Sequence, residues 1–176
     1  TPFSVKLGNA LNSVGDNPFA MCLVEPFCME ETVTFNGVDY TAKKYTYDIT
    51  DTVKVIDGSL YCKIKNGLEL IVYAGVDHTD VKIADGTVRI TAYAFAGSDV
   101  KMVKLPASVE AIGHKAFFDC DALEMVIFGS YNAPILEEEF DYTYYDSFEN
   151  LPGIGDYGTY TNYEGEEVPI HGIGVV

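Results

Sequence analysis

The stretch AIGHKAFFDC, residues 111–120, places an imidazole, His114, six residues before a thiol, Cys120. A cysteine activated by a neighbouring histidine is a nucleophile, and the same side chains are zinc ligands. Both chemistries need further partners. His78 and His171 lie far off in sequence, and Cys22, Cys28 and Cys62 form no CxxC pair. HExxH, phosphate-loop, dinucleotide and nucleophile-elbow patterns are absent. No catalytic, cofactor-binding or metal-ligating residue is therefore expected. A second chemical group lies in the C-terminal region. Glu137, Glu138, Glu139, Asp141 and Asp146 offer carboxylate oxygens of the kind that bind Ca²⁺. Tyr142, Tyr144, Tyr145, Tyr157, Tyr160 and Tyr163 offer rings on which sugars stack. No Asp-x-Asp-x-Asp-Gly loop accompanies them, so the metal signal is weak.

What must position these residues is set by the whole chain. Its 176 residues, 48% hydrophobic and 22% charged, suit one globular domain with a sizeable core. No apolar run approaches the roughly 18–20 residues of a membrane span, so no membrane insertion is expected. Nothing near Thr1 has the pattern of a signal peptide. The net charge of −16 is unevenly spread: Lys115 is the last Lys or Arg, and residues 116–176 carry 13 acids without one. Such a surface repels a phosphate backbone, which excludes nucleic acid as a partner. The four cysteines are too few for a disulfide scaffold. A Cys22–Cys28 bridge is compatible with export, but buried thiols are the expected state.

The His-Cys stretch is also one turn of a repeat. Val81, Ile83, Ile90, Ala94 and Phe95 recur 22 positions later as Val103, Leu105, Ile112, Ala116 and Phe117. After a one-residue insertion, Val100, Val103 and Leu105 recur 23 positions later as Leu123, Val126 and Phe128. A period in the low twenties with fixed apolar slots is the signature of a stacked solenoid, whose coils bury one another's apolar sides. Ile135 and Phe140, 23 beyond Ile112 and Phe117, extend the array. So does VKLGNALNSVGDNPFAMC (5–22), which aligns without gaps to VKLPASVEAIGHKAFFDC (103–120). In this frame the slot of His114 is held by Ala92 or Tyr93 one coil earlier and by Asp16 in the first copy. A slot so variable between apolar ones is read as surface. Cys120 falls with Ser98 and Cys22 in a slot for small side chains.

These residues resemble the BspA-like leucine-rich repeats of bacterial surface proteins, whose coils run approximately L..v.lP.sv..Ig..AF..C. VKLPASVEAIGHKAFFDCDALEMVIF matches almost slot for slot, and VRITAYAFAGSDVKMVKLP matches with one deletion. IDGSLYCKIKNGLELIVYAGVDHTDVKIADG (56–86) is similar to the strand–turn–strand unit that often precedes a coil in that family. The resemblance implies a leucine-rich-repeat solenoid, a right-handed β/α superhelix of short parallel strands with short helical turns. It also implies an extracellular or cell-surface location. Independently, Asn66-Gly67 between alternating apolar runs signals a type I′ hairpin. Asn36-Gly37 within TVTFNGVDYTAKKYTYDI (32–49) marks an inserted one. The expected organisation is a single domain. It has a degenerate first coil at 1–31, a hairpin at 32–50, repeats at 51–140, and an irregular Tyr- and acid-rich cap at 141–176. NYEGEEVPI would form a last hairpin within that cap.

The function expected from this resemblance is non-catalytic recognition or adhesion, with a protein or glycan on a host or neighbouring cell as partner. Lys82, Lys104 and Ile127 occupy equivalent outward strand slots and are the candidate partner-facing residues, with Tyr142, Tyr144 and Tyr145 in the tail. The alternative is a glycan- or Ca²⁺-binding module centred on that tail. A further alternative is an accessory domain of a larger secreted hydrolase.

Overall fold

The computed structural model describes residues 2–20 and 22–129, with the backbone of strands at 135–136, 156–161, 167–171 and 174–175. Three strands form the regular heart of the molecule: β7 (Val81–Lys82), β9 (Met102–Leu105) and β11 (Met125–Phe128). They are adjacent and parallel, with Val81 opposite Val103, and Val103, Lys104 and Leu105 opposite Val126, Ile127 and Phe128. Strand β15 (Gly174–Val175) extends this sheet parallel to β11. A second sheet carries the coils' other short strands, β8 (Thr87–Ile90), β10 (Ala111–Ile112) and β12 (Ile135–Leu136). These are also parallel. The repeat spacing has thus produced stacked coils whose strands form two parallel sets.

The third side of each coil holds the aromatic slot. Phe95 and Phe117 are each 1% exposed, and their rings stack at 4.7 Å with 13° between planes. Tyr73 continues the stack onto Phe95 at 4.8 Å. It stands 22 residues before Phe95, so the ladder Tyr73–Phe95–Phe117 reveals one more coil than the alternation of AF pairs suggested. Backbone bonds tie the walls together: Tyr73 N–H donates to Ala94 O and Phe95 N–H to Ala116 O, at 2.8 and 2.7 Å.

The expected short helical turns are absent among the described residues. Bonds from residue i+3 to i run Ala94 to Thr91, Ala96 to Tyr93 and Ser98 to Phe95. Positive φ at Tyr93 (58°) and Gly97 (75°), repeated at Lys115 (50°) and Asp119 (56°), interrupts any right-handed helix. The repetition of these angles 22 residues apart also fixes the alignment: Lys115 is the counterpart of Tyr93, and His114 that of Ala92. At the far end the expected 23-residue step from Ile112 to Ile135 is corrected by one. Ile135 lies opposite Ala111, and Leu136 opposite Ile112. The 22-residue spacing is lengthened there by two residues. Phe140 lies outside the described residues.

Before the coils, β3 (Tyr47–Asp48), β4 (Val53–Ile56), β5 (Ser59–Ile64) and β6 (Gly67–Val72) run antiparallel. They join the second sheet through the parallel pair β6–β8. The β4–β5 turn is Asp57-Gly58, with φ of 50° and 82°, as a type I′ turn requires. The β5–β6 hairpin is present, but Asn66-Gly67 is not its turn pair. Ile64 lies opposite Gly67, so Lys65 and Asn66 make the turn. Gly67 is needed for another reason. A Cβ there would stand 2.3 Å from Gly86 O, where Leu68 N–H docks on the first coil.

Strands β1 (Met29–Phe35) and β2 (Val38–Lys44) form the inserted hairpin, turned at Asn36 (φ 49°) and Gly37 (φ 75°). It extends three residues further towards the N-terminus than its sequence signal. Val5, Leu7, Leu11, Val14 and Phe19 pack with Phe27, Val53, Val55, Leu60 and Ile71 in a core of their own. Residues 5–7 form no strand, unlike 103–105. The segment instead reaches the coils through Asn17, whose Nδ2 donates to Tyr93 O at 2.8 Å. In the C-terminal region β13 (Asp156–Thr161) and β14 (Glu167–His171) pair antiparallel around the NYEGEEVPI stretch, so part of the expected irregular cap is regular.

Candidate functional site: the outward face of the parallel sheet

Strand alternation divides β9 and β11 into two faces. Val103, Leu105, Val126 and Phe128 are buried, while Met102, Lys104, Met125 and Ile127 look outward. Because the strands are in register, the outward residues form rows. Lys82, Lys104 and Ile127 make one row, as their slots predict, and Met102 and Met125 make a second. The methionines were legible in the same alternation and add flexible apolar surface. Met125 is 39% exposed. Lys104 is not a free cation: its Nζ lies 2.9 and 3.0 Å from the two carboxylate oxygens of Asp80.

Beside this face, next to β7, lies a hollow of about 440 Å³ lined by Tyr45, Asp57, Tyr61, Tyr73, Asp77 and Asp80 among others. The buried Tyr61 hydroxyl accepts the Ala84 N–H at 3.3 Å, and burial pushes its pKa up to about 12. Burial likewise raises the pKa of Tyr73, whose hydroxyl donates to the Asp77 carbonyl. The Asp77 carboxylate accepts N–H bonds from Thr79 and Asp80, at 2.9 and 3.3 Å, which hold its pKa below the ordinary value. Tyr61 and Tyr73 thus line the hollow as neutral phenols beside the ionised carboxylate of Asp77. Tyr61 and Tyr73 were missed in the sequence because their spacing is that of core residues.

Of the histidines and cysteines, the structure places His78 and Cys22 on one hollow. His114 is half-buried, edge-on to Tyr93 at 5.7 Å, so it is more than plain surface. Cys120 Sγ donates to Phe95 O at 3.1 Å and lies 3.5 Å from Ser98 Oγ. Burial pushes its thiol up to about 11, the opposite of an activated nucleophile. All four cysteines are free thiols, Cys22 exposed and Cys62 buried. His78 Nδ1 stands 2.7 Å from an Asp99 oxygen, at a hollow of about 400 Å³ that Cys22 also lines. Among the described residues no group of three or more His, Cys, Asp or Glu could hold a metal. Tyr142, Tyr144, Tyr145, Tyr163, Glu137, Glu138, Glu139, Asp141 and Asp146 lie outside the described residues, as do the side chains of Tyr157, Tyr160 and His171. No helix among the described residues is long and apolar enough to cross a membrane.

Two solved structures are similar in sequence to part of the chain. One is a leucine rich cell surface protein from Faecalibacterium prausnitzii A2-165, 36% identical over 47% of this chain and 22% of its own, with a TM-score of 0.41. The other is the pneumococcal vaccine antigen PcpA, 28% identical over 46% of this chain and 20% of its own, with a TM-score of 0.40. The chain thus spans about a fifth of each. No curated protein matches. Residues 68–162 match the BspA type leucine rich repeat region in six copies, from within β6 to just past β13. With more than half its length in those copies, and with the stacked parallel strands and aromatic ladder that they encode, the chain belongs to the BspA-type leucine-rich-repeat family.

Proposed function

We propose that the chain is a non-catalytic recognition module of an extracellular or cell-surface protein. It binds a protein partner, in adhesion or host contact, through the outward face of β7, β9 and β11. The observation that carries this reading is the registered double row, Lys82–Lys104–Ile127 beside Met102–Met125. A strip of apolar side chains flanked by the Lys104–Asp80 pair suits a protein surface, where apolar anchors supply affinity and charges fix register. Family membership supports a protein-interaction role; the surface location and adhesion are carried over from the resemblance.

The test is a screen against extracellular-matrix and cell-surface proteins, followed by Ile127→Glu and Met125→Glu on any hit. Each variant should weaken binding at least about tenfold while leaving the melting temperature unchanged, because both side chains lie outside the core. Unaltered binding by the double variant would place the partner on another surface and overturn the assignment.

A further inference from the structure

The hairpin β1–β2 stands apart from both cores, with thirteen of its fourteen strand residues exposed. Its two faces differ sharply. Met29, Val33, Phe35, Val38 and Tyr40 share one face and are 42–65% exposed, with the Glu31–Lys44 ion pair (3.7 Å) at its base. The other face is wholly polar: Glu30, Thr32 and Thr34 opposite Lys43, Thr41 and Asp39. Both outer edges are unpaired among the described residues. An isolated two-stranded ribbon is marginal in water, and an open edge with an apolar face is a template for another strand.

We infer that the free edge of β2 pairs with the same edge of a second copy of this chain, antiparallel about a two-fold axis at Thr41. Three features select this register. Apolar faces must lie on one side, which requires opposed residues of the same parity. The two-residue turn makes Phe35–Val38 a hydrogen-bonded pair, so Asp39, Thr41 and Lys43 are the β2 residues whose N–H and C=O point outward. Centring the axis on Thr41 then matches each outward group and overlaps all seven residues. It sets Asp39 against the other copy's Lys43, twice over, and Tyr40 against the small Ala42. Opposite charges across a strand pair stabilise it, and like charges oppose it.

The β1 edge offers no such match. Its own two-fold pairing would set Glu30 against Thr34 and Glu31 against Val33. A head-to-tail pairing of β1 with β2 would satisfy one Glu30–Lys43 pair per contact but would leave open ends and grow filaments. The proposed contact is smaller than the about 1,600 Å² of a standard interface, so the dimer is weak and concentration-dependent.

The experiment is sedimentation equilibrium of the chain over concentrations on the order of 10 µM to 1 mM. Wild type should pass from monomer to dimer, with no larger species. Asp39→Lys alone and Lys43→Asp alone should each weaken association at least about tenfold, since both cross-strand pairs become repulsive. An equimolar mixture of the two should associate again, as heterodimer. In the mixed pair, a strand with lysine at both positions meets a strand with aspartate at both, so each cross-strand pair is again attractive. Amide exchange supplies a readout free of substitutions. The Thr41 N–H should slow with protein concentration while that of Thr32, on the β1 edge, does not. A chain that stays monomeric throughout, or variants that self-associate as wild type does, would overturn the two-fold edge. So would filaments, or a mixture that fails to associate while both variants remain folded by circular dichroism.

Discussion

At the scale of single residues, the molecule separates side chains that look reactive from those that hold the fold. Phe117 fills the aromatic ladder, and emptying it by Phe117→Ala should cost about 3–5 kcal/mol in denaturant melts. His114, three residues away, makes an edge contact with Tyr93 on the coil's flank, so His114→Ala should cost only about 0.5–1.5 kcal/mol. Equal losses would contradict the repeat alignment. Cys120 gives a pH-dependent counterpart. Its thiol, raised to about 11 chiefly by burial, stays protonated where an unfolded thiol ionises. The unfolded state therefore binds fewer protons at high pH, and this contribution to stability is lost as pH rises from the ordinary thiol value towards 11. Iodoacetamide at pH 8 should accordingly modify exposed Cys22 many times faster than Cys120, and comparable rates would contradict the burial. The slot of Cys120 could be read in sequence from its match to Ser98. Its bond to the Phe95 carbonyl could not, because that contact exists only once the coils stack.

At the scale of elements, the spacing of apolar residues revealed β7, β9 and β11 with their register, and with it the row Lys82–Lys104–Ile127. Turn chemistry was less readable. Asn36-Gly37 forms its hairpin turn, whereas the similar Asn66-Gly67 does not, because Gly67 serves a backbone approach between elements rather than the loop. Tyr73 was hidden for a different reason: it keeps the 22-residue spacing to Phe95, but Val72 stands where the later coils have Ala, so the AF pattern does not reach it. Gly113 is a second close-approach glycine. A Cβ there would lie 2.2 Å from Ala92 N and 2.4 Å from Thr91 C, both backbone atoms of the preceding coil. No side-chain motion relieves such a clash, so the coils themselves would have to part. Gly113→Ala should destabilise by about 2 kcal/mol or more. Gly8→Ala, where a Cβ meets nothing within 4 Å, should stay within about 0.5 kcal/mol. If the two melt alike, the coils are not packed backbone to backbone at Gly113.

For the whole molecule, charge sets the terms. The chain carries −16, and the 13 acids after Lys115 have no Lys or Arg among them. Some of the available cations are held in ion pairs, Lys104 with Asp80 on the coils and Lys54 with Asp48 before them, which leaves fewer to offset the C-terminal acids. Mutual repulsion of this kind disfavours the compact state and is screened over a Debye length of about 8–10 Å at ordinary ionic strength. Sodium chloride should therefore raise the melting temperature gradually, with no saturation at low millimolar concentration. Ca²⁺ at matched ionic strength makes a separate demand. If Glu139, Asp141 and Asp146 only cover the last coil, as expected of a terminal cap, Ca²⁺ should add nothing to the screening. A converging carboxylate site would instead stabilise by mass action, giving a shift that saturates with Ca²⁺ and disappears in Asp141→Asn. The cap reading predicts the first outcome. A saturable, Asp141-dependent shift in a melting series would replace it with a calcium site.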